Sequence, residues 1–142
     1  MVGTLLGGAL TGLLQIRSTR IAQSAARADQ RAEALRRALG ELVASLGDHR
    51  RAMHREVLRL DGAGEEAVEA ARTASRATRS AVTAPLVAVS VLDRSLAEPA
   101  RQAALAAFGL REASDHTDLA ARREAAIAAT DELVAAAGRA MA

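Results

Sequence analysis

The sequence predicts an all-α fold, in which a long N-terminal helix with a membrane-seeking start leads into an antiparallel bundle of about four helices. Half of the residues are hydrophobic, and much of that share is alanine, the residue with the highest helix propensity. Apolar residues recur every three or four positions over most of the chain, as they do on one face of a helix. No run of alternating β-branched residues predicts a strand.

The composition limits both the core and the chemistry. Phe108 is the only aromatic residue among 142, so the core is predicted to be thin, with alanine seams into which Leu, Val and Ile are inserted. All 19 basic residues are arginines, and the 17 acids reduce the net charge to +2, which gives no general preference for nucleic acid. Cysteine is absent, and this excludes disulfides, thiolate metal sites and thiol nucleophiles.

The first helix is predicted to run from about residue 3 to residue 60. An apolar stripe leads from Leu60 back to Ile21 in steps of three or four and joins the apolar start of the chain near Leu14. Such a helix would be roughly 85 Å long. Gly40 and Gly47 weaken it locally, but the unbroken phase of the stripe argues against a full break at either.

A second helix is predicted after the turn Asp61–Gly64. It begins just after Gly64 and extends to about Leu92. Because Pro85 lacks a backbone donor, we expect a kink near residues 80–83.

Two shorter helices complete the predicted bundle. Ser95 and Glu98 have the spacing of a capping box, which predicts a helix from there to about Arg111. The last helix is predicted to begin at Thr117 or Asp118 and to reach the C-terminus. The short links between consecutive helices favour antiparallel neighbours.

Residues 1–16 are predicted to be a membrane anchor, and residues 17–142 a helical bundle domain. Residues 2–16 carry no charge, and Arg17 and Arg20 follow directly, where they could lie at the membrane interface. The uncharged run is shorter than the about 20 residues of a spanning helix. Three interpretations stay open: a short transmembrane anchor, a buried helix at an oligomer interface, and a cleaved signal peptide, which the missing positive n-region disfavours.

Glycine spacing in this segment predicts self-association. Gly3 and Gly7 are four residues apart, as are Gly8 and Gly12, and this spacing lets two helices approach closely in lipid. A helix lying on the membrane surface would need a polar face along its whole length. We therefore expect a homo-oligomer at the inner membrane, with the C-terminal bundle in the cytoplasm.

No catalytic, cofactor or metal site is predicted. His49 and His54 are five residues apart, whereas two metal ligands on one helical face need a spacing of three or four. His49 lies on the apolar stripe and is expected to pack at the core, and His54 to be solvated. His116 lies beside acids, where helix capping is the simpler role. No phosphate-binding loop, dinucleotide fingerprint or nucleophile elbow occurs, so no enzyme activity is predicted.

The densest basic cluster contains Arg50, Arg51 and Arg55, which are candidate contacts for phosphate in nucleic acid or lipid headgroups. Interleaved acids and the lack of stacking aromatics favour a solvated face, which makes nucleic acid the less favoured partner. A second arginine line, on one face of the second helix and interpreted as a solvated ridge, consists of Arg72, Arg76 and Arg79.

Three stretches carry a family resemblance. They read GTLLGGALTGLLQ at 3–15, ALGELVASLGDHRRAMHREVLRL at 38–60 and ASRATRSAVTAPLVAVSVL at 74–92. In these segments and their order the chain resembles small actinobacterial proteins of the KilB or plasmid-spread type. The resemblance implies a short membrane segment, a long helix with a helical tail, and an accessory role in conjugative transfer. It assigns no role to any single residue, because none of the stretches is a catalytic motif.

These patterns together predict a non-enzymatic, membrane-anchored accessory protein that acts by self-association and by scaffolding a protein partner. The alternative is a soluble DNA-associated accessory protein of a mobile element.

Overall fold

The computed structural model describes the backbone of residues 3–142 and the side chains of residues 7–142. Over residues 3–142 the regular structure is helical throughout, without a strand, and the predicted all-α class is confirmed. The α-helices are α1 Gly3–Ala52, α2 His54–Leu60, α3 Glu65–Leu92, α4 Ala97–Phe108 and α5 His116–Ala140. Short 3₁₀ turns at Arg94–Leu96 and Gly109–Glu112 flank α4.

The predicted first helix has the expected extent but is interrupted at Met53. α1 passes through Gly40 and Gly47 without a break. Met53 has a ψ of 6°, outside the α-helical range, and α2 follows directly. The Met53 N–H still donates to the His49 carbonyl at 3.0 Å, and the Met53 carbonyl accepts from the Glu56 N–H at 3.0 Å. Hydrogen bonding therefore continues across the interruption.

The turn after α2 depends on a glycine. Gly62 has a φ of +71°, in the left-handed region that costs glycine little. The Gly62 N–H donates to the Arg59 carbonyl at 3.2 Å, and the Ala63 N–H donates to the Leu58 carbonyl at 2.9 Å. This pair of bonds is the Schellman motif, which closes a helix and lets the chain turn back.

α3 is continuous through its proline. The residues predicted to kink, 80–83, stay within the helix, and Pro85 itself is buried. The missing N–H of Pro85 therefore does not end the helix, and the ring is part of the buried surface.

The start of α4 corrects the predicted capping box. Asp93 Oδ1 accepts from the Ser95 N–H at 2.9 Å and from the Ser95 hydroxyl at 2.7 Å. The Glu98 carboxylate binds Arg101 at 2.7 Å and Gln102 at 2.7 Å instead of reaching back along the chain. The prediction is wrong because Asp93 accepts the Ser95 N–H that Glu98 would accept in a capping box, and the Ser95 hydroxyl donates to Asp93 and does not cap α4.

α5 begins at His116, one or two residues before its predicted start. Asp115 caps it, since Asp115 Oδ1 accepts from the Asp118 N–H at 2.7 Å. The Asp118 carboxylate in turn accepts from the Ser114 N–H at 2.9 Å. One carboxylate thus caps a free N–H of the first turn, and the other ties the residue before the cap to the helix start.

The chain divides into two compact units, of which the first extends to Ala34 and the second covers Leu35–Ala142. In the second unit Asp61 lies 2.7 Å from His116, and Arg50 lies 3.2 Å from Thr130. From Asp61 back to Arg50 the chain runs towards its N-terminus, whereas the partners of these residues, His116 and Thr130, run towards the C-terminus along α5. The two segments are therefore antiparallel, as predicted. The predicted boundary at residue 16 separates a membrane segment from the rest and stays a prediction.

The core of the second unit is an alanine seam, as predicted. α4 buries four alanines, namely Ala100, Ala103, Ala104 and Ala107. They share one cluster with larger buried residues of the other helices, among them Leu42, Leu46, Val82, Val89 and Leu133. A second cluster contains Met53, Leu110, Ala113 and Leu119, so the side chain at the helix interruption is itself a core residue.

Candidate functional site

Over the residues whose side chains are described, from Gly7 onward, the apolar start of α1 is exposed. Leu10, Leu13, Leu14 and Ile16 are all more than half exposed, and Ile21 is 66% exposed. Single exposed apolar residues are common, whereas a contiguous group marks an interaction surface. No helix in the described part of the chain is long and apolar enough to cross a membrane, so the predicted transmembrane helix is not supported.

The glycines of this segment have open surroundings. A Cβ atom added at Gly7, Gly8 or Gly12 would meet no heavy atom within 4 Å. Gly3 is the first residue of α1, and its surroundings lie outside the described side chains. Packing within this chain does not require small residues at the three described positions, and their role in self-association stays a prediction.

Arg17 and Arg20 are exposed, and α1 continues through both without a turn. The apolar start and the arginines therefore belong to one helix, as the sequence predicted. Their position at a membrane interface stays a prediction.

The three candidate phosphate contacts are divided between two surfaces. Arg51 is exposed and pairs with Asp48, and Arg50 Nη1 donates to the Thr130 hydroxyl at 3.2 Å. These two arginines line a different cavity from Arg55, whose Nε lies 2.8 Å from Glu56 Oε1. Phosphate binding by the three arginines stays a prediction, but they do not act as the single cluster that the sequence suggested.

Glu56 is a buried carboxylate, only 2% exposed. Its second oxygen lies 2.7 Å from Arg59 Nε, and Arg59 Nη2 donates to the Ala113 carbonyl at 2.7 Å. The Arg59–Ala113 hydrogen bond connects α2 to the segment between α4 and α5, and Glu56 holds Arg55 and Arg59 within α2. The sequence indicated only an acid that reduces the local positive charge, because neither the burial of Glu56 nor the Arg59–Ala113 hydrogen bond across 54 positions can be derived from local spacing.

His49 packs in the core, as predicted. Its Nδ1 lies 3.0 Å from the Thr78 hydroxyl, and its ring meets Phe108 edge to face at 5.4 Å. Burial lowers the pKa of His49 below its ordinary value, and the positive charges of Arg79 and Arg55 lower it further. The imidazole is therefore neutral at neutral pH.

The other two histidines lie at the surface. His54 is exposed, and His116 Nε2 lies 2.7 Å from Asp61 Oδ1. The capping role predicted for His116 belongs to Asp115. Within the described residues, no group of three or more His, Cys, Asp or Glu side chains is placed to hold a metal ion.

A cavity of about 270 Å³, here called the arginine pocket, is a feature that the sequence did not reveal. Its arginines are Arg55, Arg72, Arg76, Arg79 and Arg111. His49, Met53, Ser75 and Phe108 complete the lining, which includes no carboxylate. Spacing alone placed three of the arginines on one face of α3. Their meeting with the other two depends on how α2 and the turn after α4 pack, which local periodicity does not contain.

The solvated ridge predicted on α3 is only partly solvated. Arg72 and Arg76 are exposed. The guanidinium carbon of Arg79, in contrast, lies 4.3 Å from the centre of the Phe108 ring, a distance typical of a cation–π contact.

Fold and site define an all-α bundle protein with an exposed apolar helix start and an arginine-lined pocket. The family model of the KilB plasmid transfer protein matches residues 36–141. Protein KilB of Streptomyces lividans is 55% identical over 140 residues, which are 98% of this chain and 92% of that protein. The chain therefore belongs to the KilB plasmid transfer protein family, and the resemblance seen in the sequence is confirmed. None of the solved structures matches the chain.

Proposed function

We propose that the chain is a non-enzymatic accessory of plasmid transfer that works at the cytoplasmic face of the inner membrane. Its apolar helix start would attach it to the membrane and bring copies together, while the bundle would hold a protein partner. Family membership supports the plasmid-related role. The observation that carries the attachment is the exposure of Leu10, Leu14 and Ile21, which share one face of α1.

The energetics favour an external contact for this face. Each large aliphatic side chain that leaves water contributes about 1.5–3 kcal/mol, and these side chains do not obtain that contribution within the chain. Arg17 and Arg20 follow the uncharged segment and would keep the bundle on the cytoplasmic side. A lipid surface or a second copy supplies the missing apolar contact.

Cell fractionation tests the proposal. The untagged full-length protein should sediment with membranes in the absence of detergent, and a wash with high salt should leave it there because the contact is apolar. A variant with Leu10→Gln, Leu14→Gln and Ile21→Gln should move to the high-speed supernatant. Wild-type protein that stays in the supernatant would refute membrane attachment.

A further inference from the structure

The arginine pocket concentrates positive charge from three separate elements. Arg55 comes from α2, Arg72, Arg76 and Arg79 come from α3, and Arg111 comes from the 3₁₀ turn after α4. Like charges that converge on a cavity repel one another, and water screens this repulsion less at the half-buried Arg55 and Arg79 than at the three exposed arginines. A bound anion would reduce this repulsion.

The neighbouring carboxylates neutralise only part of this charge. Glu69 lies 2.9 Å from Arg72 and 3.8 Å from Arg76, and Glu56 is shared between Arg55 and Arg59. Neither Arg79 nor Arg111 has a carboxylate partner among the described residues. The pocket therefore keeps a clear positive excess at the two arginines that are not paired.

The pocket also offers hydrogen-bond donors in fixed positions. Arg55 Nε is buried 2.8 Å from Glu56 Oε1, and this ion pair holds the Arg55 guanidinium at the pocket wall. The stacking of Arg79 on Phe108 covers one face of its guanidinium and leaves the N–H groups at its edge. Guanidinium edges match phosphate oxygens two at a time, which makes arginine the common partner of phosphate.

The size of the pocket limits the ligand. A volume of about 270 Å³ lies at the lower end of small-molecule sites, so it suits a diphosphate group better than a whole nucleotide. Nucleic-acid backbones are instead followed by extended basic tracks with stacking aromatics, and Arg50 and Arg51 line a separate cavity. We propose that the arginine pocket binds a small free anion that carries two linked phosphate groups, a property that goes beyond the membrane function proposed above.

Calorimetric titration of the full-length protein with sodium pyrophosphate tests this site. We expect saturable binding at one site, with orthophosphate and sulfate bound at least about ten times more weakly because they engage fewer arginines. Arg111→Gln, at an exposed position, should weaken pyrophosphate binding roughly tenfold, and adding Arg79→Gln should weaken it further. The matched control is Arg101→Gln with Arg139→Gln, which removes the same charge from exposed positions outside the pocket and should leave affinity unchanged.

A second measurement locates the ligand independently of the variants. Pyrophosphate should shift the ring-proton resonances of His49, which lines the pocket, and leave those of His54 and His116 in place. The proposal is overturned if pyrophosphate produces neither heat nor a His49 shift, or if the control variant loses as much affinity as the pocket variant. Capture of duplex DNA through Arg79 and Arg111 without pyrophosphate affinity would also overturn it, in favour of a nucleic-acid backbone.

Discussion

Glu56 and Glu98 are both paired with arginine, but their surroundings differ. Glu56 is buried between Arg55 and Arg59, so loss of its charge leaves guanidinium groups without compensation. Glu98 lies at the surface beside Arg101 and Gln102, and their hydrogen bonds lower its pKa to about 2. Because water and salt screen an exposed pair, that low pKa does not indicate a large contribution to stability.

Glu56→Gln should therefore destabilise the bundle, although it keeps the volume of the side chain. We expect the free energy of unfolding in urea to fall by about 2 kcal/mol. This loss is smaller than that for breaking a fully buried pair, because Arg59 is partly exposed. Glu98→Gln is the matched control and should change stability far less. Equal effects of the two substitutions would contradict the assigned difference in burial.

His49 should make stability depend on pH. Its pKa in the folded protein lies below the ordinary 6.5, first because of burial and then because of Arg79 of α3 and Arg55 of α2. Well above pH 6.5 His49 is neutral in both states and has no effect. As the pH falls below this value the unfolded chain binds a proton that the folded chain does not, so stability decreases.

The measurement uses a His54→Gln, His116→Gln background, in which His49 is the only histidine. Urea unfolding between pH 7 and pH 5 should show a steady loss of stability there, and adding His49→Gln should flatten the curve. An unchanged slope after that last substitution would mean that His49 titrates normally in the fold.

At the scale of single elements, helix starts and stops depend on which side chain reaches the free backbone groups. The sequence correctly predicted a helix after Gly64 and one near residue 116, because clusters of turn residues between apolar periodic segments are local signals. It placed the cap of α4 at Ser95, since the capping-box pattern does not weigh the competing carboxylate of Asp93. The interruption at Met53 was not predicted, because the apolar stripe keeps its phase through this residue, and the buried cluster that Met53 joins includes Leu110, 57 positions away.

Substitution can separate the roles of Asp93, which caps the 3₁₀ turn before α4, and of Ser95. Asp93→Ala should lower the free energy of unfolding by about 1 kcal/mol, because the Ser95 N–H and hydroxyl both lose their acceptor. Ser95→Ala should cost much less, since its hydroxyl caps nothing. Thermal unfolding of both variants checks this. A larger loss of stability for Ser95→Ala than for Asp93→Ala would support the capping box and contradict the assigned role of Asp93.

For the whole molecule, the sequence predicted the fold class, the antiparallel bundle and the thin alanine core, all from periodicity and composition. The family model covers residues 36–141, nearly the same range as the compact unit Leu35–Ala142. The arginine pocket was not predicted, because it forms only where three elements meet. Gly8 and Gly12 have open space around them within the chain, and self-association through them stays a prediction.

Self-association can be separated from helix propensity. Gly8→Leu with Gly12→Leu raises the helix propensity but adds bulk where two backbones would approach. The dissociation constant of the oligomer, measured by sedimentation equilibrium in detergent, should therefore rise at least about tenfold. Gly40→Ala is the control, because Gly40 lies in the same helix with open space around it, and it should leave association unchanged. An oligomer unaffected by the double substitution would exclude the glycine interface.

The central claim is that the apolar start of α1 serves attachment and not folding. Flotation with vesicles of phosphatidylglycerol and phosphatidylethanolamine tests it on the full-length protein and on the Leu10→Gln, Leu14→Gln, Ile21→Gln variant, with urea unfolding measured on both. We predict that the wild type floats with the vesicles, that the variant stays at the bottom of the gradient, and that their free energies of unfolding agree within about 0.5 kcal/mol. Equal flotation of the two proteins, or a variant bundle destabilised by several kcal/mol, would contradict the claim.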